Sequence, residues 1–168
     1  IIFTSYYDDA HGGDTNRDGS STSPASKDWQ HIETNGEHGS TFDYCEFYYG
    51  GGGTYRDTLG ISYGSTAVTV TNCIFAHNDG GLVGNLYYGA LDAAGGAAGV
   101  VIENNLFYDN NLPLSISDYI SIDASNVFEN PEPPHEINTF SGIFVYAGLI
   151  EDAISWEETE VAFVINNA

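Results

Sequence analysis

Basic residues, methionine and long apolar runs are what this sequence has least of. It contains three Lys and Arg residues against 24 Asp and Glu residues, which gives a formal net charge of −21. Such a charge repels phosphate backbones and anionic lipid surfaces, so nucleic acid and membrane surfaces are not expected partners. No apolar run approaches the ~20 residues that a transmembrane helix needs, so membrane insertion is not expected either.

The chain has no Met and begins with Ile1. We therefore expect a processed product or a segment of a longer protein, with any export signal upstream. The excess of carboxylates suits divalent cations or a salty exterior, where self-repulsion is neutralised or screened. With 20 glycines, 12 tyrosines and little Lys, the composition resembles that of extracellular repeat proteins.

Four segments share two columns of side chains. One column consists of Cys45, Cys73, Asn105 and Asn126, and the other, two residues later, of Phe47, Phe75, Phe107 and Phe128. The spacings are 28, 32 and 21 residues. A repeat of this length predicts a solenoid with insertions in its loops. We expect one domain, 1–168, with an N-terminal strand and acidic loop in 1–40, regular rungs in 41–130, and C-terminal rungs with an open end in 131–168.

The strands are expected to be short and rich in β-branched residues, as in 66–72 (TAVTVTN) and 99–105 (GVVIENN). Alternation places Val70 and Ile102 on the same side as the Phe column. No segment longer than about ten residues carries the apolar stripe of a helix. These features predict an all-β parallel β-helix with stacked Asn side chains at its corners. The alternative is an antiparallel sandwich, which predicts turn signals every ~8–12 residues.

Three segments, 104–130 (beginning NNLFYDNN), 1–29 and 155–167, resemble right-handed parallel β-helix repeat proteins of the pectate-lyase-like superfamily, in its secreted bacterial and archaeal surface-protein branch. The resemblance implies a right-handed helix, an extracellular or cell-surface setting, and termini that lie within the rung pattern. Open solenoid ends expose unpaired strand backbone to which another copy or repeat can add. Activity is not implied, because the superfamily includes lyases, hydrolases, adhesins and inert stalks.

The loop at 12–21 (GGDTNRDGSS) has the order of the first half of an EF-hand calcium loop. Asp14, Asn16 and Asp18 alternate, and Gly19 permits a turn that lets the next carbonyl, of Ser20, face inward. The twelfth position is Ala25 instead of Glu, so the completing acids would come from elsewhere. The expected metal ligands are Asp14, Asn16, Asp18, Ser20, Asp28 and Asp9, with Asp8 as a substitute for Asp9.

Calcium is the expected ion, because hard oxygen ligands match it, and related surface proteins carry a similar acidic loop. Arg17, a non-ligand position, is expected to point outward. The alternative is an ion-free loop closed by Asx turns.

Cys45 and Cys73 share a column, so their Cα atoms are expected ~4.8 Å apart. Their Cβ atoms would be equally far apart, which exceeds the ~3.8 Å of a relaxed disulfide, so buried free thiols are expected. Zinc is not expected from two Cys and scattered histidines. His11, His31 and His38 lie near the acidic loop and are expected to be loop surface, as imidazole is a poor calcium ligand.

Eight tyrosines could form stacking platforms for sugars or pack on pleated surfaces without a ligand. They are Tyr6, Tyr7, Tyr48, Tyr49, Tyr55, Tyr63, Tyr87 and Tyr88. Nothing in the sequence places them on one face.

Enzymatic candidates are few. A polysaccharide lyase needs a basic residue, for which Arg56 is the candidate, but so acidic a surface would repel polyuronate. A hydrolase needs paired acids ~5–9.5 Å apart. Its candidates are Asp79, Asp92, Asp109 and Asp123, which also suit turns.

The sequence therefore predicts a non-enzymatic, calcium-stabilised module of an extracellular filament, stalk or surface protein. Its expected partners are copies of itself or adjacent repeats, stacked end to end. The alternatives are a carbohydrate-binding adhesin module, with polysaccharide as the partner, and a β-helix polysaccharide lyase or hydrolase.

Overall fold

The structure, a computed structural model, describes residues 1–34, 39–146, 148–150 and 153–166. Within these ranges the regular structure is entirely β, with no helix. The strands are β1 (Ile2–Phe3), β2 (Ile32–Thr34), β3 (Ser40–Asp43), β4 (Glu46–Tyr48), β5 (Leu59–Ile61), β6 (Val68–Thr71), β7 (Ile74–Ala76), β8 (Gly81–Val83), β9 (Leu86–Tyr88), β10 (Leu91–Ala93), β11 (Val101–Glu103), β12 (Leu106–Tyr108), β13 (Leu114–Ser117), β14 (Gly142–Tyr146) and β15 (Ala162–Asn166).

All strands except β8 and β9 form three parallel sheets that stack as a solenoid of about 4 turns. Sheet A has the order β1-β4-β7-β12, sheet B the order β2-β5-β10-β13-β14-β15, and sheet C the order β3-β6-β11. The chain passes through sheets C, A and B and then returns to sheet C beside its previous strand. The predicted parallel β-helix is confirmed. The sandwich alternative is excluded, because the pairs within these sheets are parallel.

The phenylalanine column forms a continuous stack inside sheet A. Rings of Phe47, Phe75, Phe107 and Phe128 follow one another at centroid distances of 4.7, 5.1 and 5.3 Å, with interplanar angles of 8–11°. Phe3 adds a further ring, 4.9 Å from that of Phe47. Each buried side chain of this kind stabilises the fold by roughly 1.5–3 kcal/mol.

Apolar columns from the other two sheets complete the core. Val70 is in register with Ile102 in sheet C, and both are buried, as the alternation predicts. In sheet B, Leu59, Leu91, Leu114 and Ile143 lie in register and are fully buried.

The corner between sheets C and A is built on the predicted Cys and Asn column. Asn105 Oδ1 accepts a hydrogen bond from the backbone N–H of Cys73 at 2.9 Å, and its amide donates to Val70 O and to Asn126 Oδ1 at 2.9 and 3.0 Å. The residues before the column, Tyr44, Asn72 and Asn104, have φ of 51°, 55° and 57°. This left-handed conformation turns the chain sharply from one sheet to the next.

Cys45 and Cys73 are buried free thiols, as the sequence predicts. The Sγ of Cys73 donates to the backbone oxygens of Thr71 and Phe42, at 3.2 and 3.4 Å. Burial raises the pKa of the Cys73 thiol to about 11. The thiol is therefore protonated and unreactive at neutral pH.

A second asparagine ladder, whose residues the sequence analysis does not name, forms the corner between sheets A and B. Asn110 Oδ1 accepts from the N–H of Asn78 at 3.1 Å and from its side-chain amide at 3.0 Å. Asn138 Oδ1 accepts from Asn110 in the same two ways, at 3.1 and 3.0 Å. Each amide also donates to a backbone oxygen, and all three side chains are buried.

The unequal repeat spacings correspond to insertions between strands. The antiparallel hairpin β8–β9 lies between sheets A and B in the turn that contains β7 and β10. Its Tyr87 ring stacks on Phe144 at 4.7 Å, and Tyr87 O accepts a hydrogen bond from the Tyr146 hydroxyl at 2.9 Å. The hairpin is thus fixed beside the outer surface of sheet B.

Asn110→Ala is expected to lower the free energy of unfolding by about 3 kcal/mol or more, because several buried backbone and side-chain groups lose their partners. Asn111→Ala is the control. The Asn111 side chain donates to Gly80 O at the rim of the ladder, and its loss is expected to cost about 1 kcal/mol. Urea unfolding measures both. Equal losses would contradict a structural role for the ladder.

Candidate functional site

The outer face of sheet B carries a column in which two acids flank a glycine. Glu33 of β2 and Asp92 of β10 are both in register with Gly60 of β5. Their strand neighbours Leu59 and Leu91 are buried, so alternation places Glu33, Gly60 and Asp92 on the outer face. The two acids are two strand spacings apart, with no side chain between them.

Asp57, from the loop before β5, occupies the space that Gly60 leaves. A Cβ at position 60 would collide with Asp57 Oδ2 and would lie 3.7 Å from the Cγ of Glu33. The Asp57 carboxylate therefore lies over the backbone of Gly60. Only glycine permits this approach.

These residues line a groove of about 380 Å³. Its walls include four tyrosines, Tyr55, Tyr63, Tyr88 and Tyr146, together with His31. The rings of Tyr55 and Tyr88 are 5.7 Å apart, and the Tyr55 ring stacks on His31 at 6.3 Å. The site therefore combines aromatic faces with a carboxylate floor.

Asp57 is buried and incompletely paired. Its side chain is 6% exposed, and Oδ1 lies 3.3 Å from His31 Nδ1 without a hydrogen bond, which leaves both atoms without a hydrogen-bond partner. Burial raises the pKa of Asp57; the charge of His31 opposes this, and that of Glu33 adds to it.

The pKa of Asp92 is strongly raised. Burial raises its pKa to about 7, against the hydrogen bonds that Oδ1 accepts from Ser115 Oγ at 2.6 Å and Ala94 N at 3.0 Å. The nearby Asp57 charge raises it further. A carboxyl that titrates near neutral pH in a groove is typical of a functional site.

The basic residues near this region are held elsewhere. Arg56 Nη2 donates to Asp79 Oδ1 at 2.8 Å, and Lys27 Nζ lies 3.2 Å from the same oxygen. The hydrogen bonds that Arg56 donates to the Asp79 carboxylate raise the pKa of Arg56. Arg56, the candidate lyase base, is therefore committed to an ion pair.

The four hydrolase candidates are not brought together. Asp79 binds Arg56, Asp109 pairs with His77 Nδ1 at 2.6 Å, and Asp123 accepts from Ser125 N at 3.0 Å. Asp92 alone of the four lines the groove. Its acidic neighbours, Glu33 and Asp57, were missed. The sequence signal for Glu33 is the alignment of IET (β2) with LGI (β5) and LDA (β10), which places Glu33 at the same position as Gly60 and Asp92.

The acidic loop brings together Asp9, Asp14 and Asp18. One carboxylate oxygen from each lies within 4.8 Å of the other two. Asp9 Oδ1 is buried without a hydrogen-bond partner, and burial, followed by the charges of Asp14 and Asp18, raises the pKa of Asp9. Arg17 is exposed, as expected, and Gly19 has a φ of 62°.

The other predicted ligands have different surroundings. Asn16 Oδ1 accepts from Asp18 N at 3.2 Å, so it belongs to the same turn, and Ser20 N donates to Asp18 Oδ1 at 3.0 Å. Asp28 is not part of the three-carboxylate group. Its Oδ2 accepts from Ala25 N at 2.9 Å and from the Ser5 hydroxyl. This carboxylate closes a turn in the ion-free loop, and its role as a ligand stays a prediction.

Asp8 is likewise engaged elsewhere, with the hydroxyl of Thr4 and with His11 Nδ1 at 2.7 Å. The Asx turns of the ion-free alternative are present at Asn16 and Asp18, whose side-chain oxygens accept from the N–H groups two residues on.

Some of the candidate histidines and tyrosines pack against other side chains, and others line the groove. His11 stacks on Tyr48 at 4.1 Å, whereas His31, which precedes β2 and is 23% exposed, lines the groove. His38 lies outside the described residues. Of the eight candidate tyrosines, Tyr55, Tyr63 and Tyr88 share the groove, although the sequence did not place them on one face.

No family model matches the chain, and no curated protein or solved structure matches it. In the described ranges, no helix is long and apolar enough to span a membrane.

Asp92→Asn is expected to raise the melting temperature at pH 8 but not at pH 4. The pKa of Asp92 is about 7 in the folded chain and ~3.9 in the unfolded chain, so its contribution to stability is lost as pH rises between these values. The Asn Oδ1 can keep both hydrogen bonds. Melting curves from pH 4 to 8 measure the effect.

Asp123→Asn is the control. Asp123 lies outside the groove and likewise accepts from a Ser hydroxyl and from the N–H two residues on. Parallel pH curves for wild type and Asp92→Asn would contradict the prediction.

Proposed function

We propose that this chain is a glycan-binding module carried on an extracellular β-solenoid scaffold. The observation that supports this function is the groove on sheet B, in which tyrosine rings surround the carboxylates of Glu33, Asp57 and Asp92. Ligand sites typically combine a largely apolar, concave wall with a few converging polar groups.

Sugars match this combination of groups. Their C–H faces pack on aromatic rings, and their hydroxyls donate hydrogen bonds to carboxylates. Tyr63 is 97% exposed and Tyr55 is 55% exposed, so both rings are accessible to a ligand. Uronate polymers are disfavoured because they carry the same charge as the groove.

The extracellular setting is a proposal that rests on the acidic surface, the calcium-type loop and the resemblance to secreted β-helix surface proteins. The scaffold role belongs to the same proposal. Strand β15 is paired with β14 on one side only, and Val164 and Ile165 are 37% and 54% exposed. A strand of a neighbouring copy or repeat can add to such an edge. Sedimentation velocity over a range of concentrations tests for stacking.

Tyr55→Ala and Tyr63→Ala are each expected to weaken glycan binding by roughly two- to tenfold, because each removes an aromatic contact of ~0.5–1.5 kcal/mol. A glycan array at millimolar calcium identifies the ligand, and titration then compares the variants. Tyr119→Ala is the control, since Tyr119 is 40% exposed and does not line the groove.

Equal losses in Tyr119→Ala, or an array without any selective ligand, would contradict the proposal. New reducing ends released by the wild type and not by Asp92→Asn would indicate hydrolysis at the same groove.

Calcium is the proposed ion of the acidic loop. Asp9, Asp14 and Asp18 would hold it through their carboxylates, together with Asn16 and the carbonyl of Ser20. Hard oxygen donors suit Ca²⁺, and the unpartnered Asp9 Oδ1 fits a bound cation. Bound calcium would neutralise three carboxylates that otherwise repel one another, and so stabilise the loop that precedes β2.

Chelation with EGTA is expected to lower the melting temperature by about 5–10 °C relative to calcium at ~100 times Kd. Asp9→Asn should reduce this difference, whereas Glu103→Gln, on the exposed face of sheet C, should preserve it. Scanning calorimetry measures all three proteins. Identical melting in calcium and EGTA would refute the site.

A further inference from the structure

The groove has more carboxylates than counter-charges. Glu33, Asp57 and Asp92 line it, and among the described lining residues only His31, whose Nδ1 is 3.3 Å from Asp57 Oδ1, can carry a positive charge. Arg56 and Lys27 are both engaged by Asp79. Closely spaced carboxylates in a partly desolvated site are costly unless a cation joins them.

Asp57 is the residue that most needs a partner. Its side chain is only 6% exposed, and its Oδ1 accepts no hydrogen bond. Its other oxygen lies over Gly60, between the registers of Glu33 and Asp92. A ligand donor that contacts this carboxylate from the groove would therefore lie near all three acids.

A bare divalent ion fits this arrangement poorly. Among the described residues, the carboxylates that converge closely enough to share a metal are Asp9, Asp14 and Asp18 in the acidic loop. The groove acids are spread along the column at two strand spacings. This spread suits a larger organic cation with several N–H donors.

The tyrosines favour the same class of ligand. Ammonium groups are attracted to aromatic faces as well as to carboxylates. The rings of Tyr55 and Tyr88 stand 5.7 Å apart with an interplanar angle of 52°, and an aromatic face can also pack against a sugar ring.

From these observations we infer that the groove selects glycans with free amino groups, and that a sugar ammonium group lies beside the Asp57 carboxylate that covers Gly60, near Glu33 and Asp92. This inference rests on the proposed glycan-binding function and names its substrate class. The ammonium offsets part of the negative charge that Glu33, Asp57 and Asp92 place in the groove, while the tyrosines contact the sugar ring.

Titration calorimetry tests the inference with two tetrasaccharides of one backbone, β-1,4-linked glucosamine and its fully N-acetylated form. The amine form is expected to bind at least tenfold more tightly at neutral pH. Asp57→Asn, a nearly isosteric change, should remove this preference without weakening the N-acetylated form. Glu33→Gln, at a more exposed position, should reduce the preference and provides a second variant if Asp57→Asn folds poorly. Glu103→Gln, on sheet C, should preserve it.

The possible failures are distinguishable. Equal binding of both tetrasaccharides, weakened by Tyr63→Ala, would overturn the amino-sugar selectivity and leave the proposed glycan-binding function standing. Binding of neither, with an array that finds no other glycan, would overturn both. Tetralysine that binds as tightly as the amine tetrasaccharide and displaces it would overturn the sugar assignment in favour of a cationic peptide.

Discussion

The spacing between parallel strands is the constraint on which the rest of this structure depends. Neighbouring strands lie ~4.8 Å apart, so a side chain must contact the side chains at the same register position above and below it. Phenylalanine satisfies this spacing by ring stacking, with centroids 4.7–5.3 Å apart. Asparagine satisfies it because each amide can donate to the next while its oxygen accepts from the rung on the other side. The core and the two corners with asparagine ladders therefore contain side chains that pack favourably on identical side chains in the neighbouring turns.

The same spacing explains the groove. Like charges directly opposite each other on adjacent strands are unfavourable. Gly60 separates Glu33 from Asp92 by an empty position, which Asp57 then fills from the preceding loop. Its neighbour Arg56 turns away to Asp79. Arg56 thus belongs to an ion pair, whereas the next residue, Asp57, lies in the groove with the other carboxylates.

The sequence predicted those parts of the fold in which residues of one column keep a fixed distance along the chain. The Cys/Asn and Phe columns are two residues apart in every rung, and both were found. The second ladder was missed because Asn78 and Asn110 follow their phenylalanines by three residues, whereas Asn138 follows Phe128 by ten. The groove was missed because Glu33, Asp57 and Asp92 come from different parts of the chain. They meet at Gly60, and the strand register that pairs Gly60 with Glu33 and Asp92 cannot be read from a fixed spacing in the sequence. Asp9, Asp14 and Asp18 were found because they share one local loop.

The groove also differs energetically from the ladders. Asn78, Asn110 and Asn126 are buried polar side chains whose amides donate within the ladders, so their burial is compensated. Asp57 Oδ1 has no hydrogen-bond partner, and Asp92 has a pKa raised by burial, so each lowers the stability of the folded chain near neutral pH. Folding alone would favour apolar or paired residues at both positions. These carboxylates lie beside tyrosines on one outer surface, and a ligand that supplies the missing donor accounts for their presence there. The fully hydrogen-bonded asparagine ladders at the corners offset the stability that such a site costs.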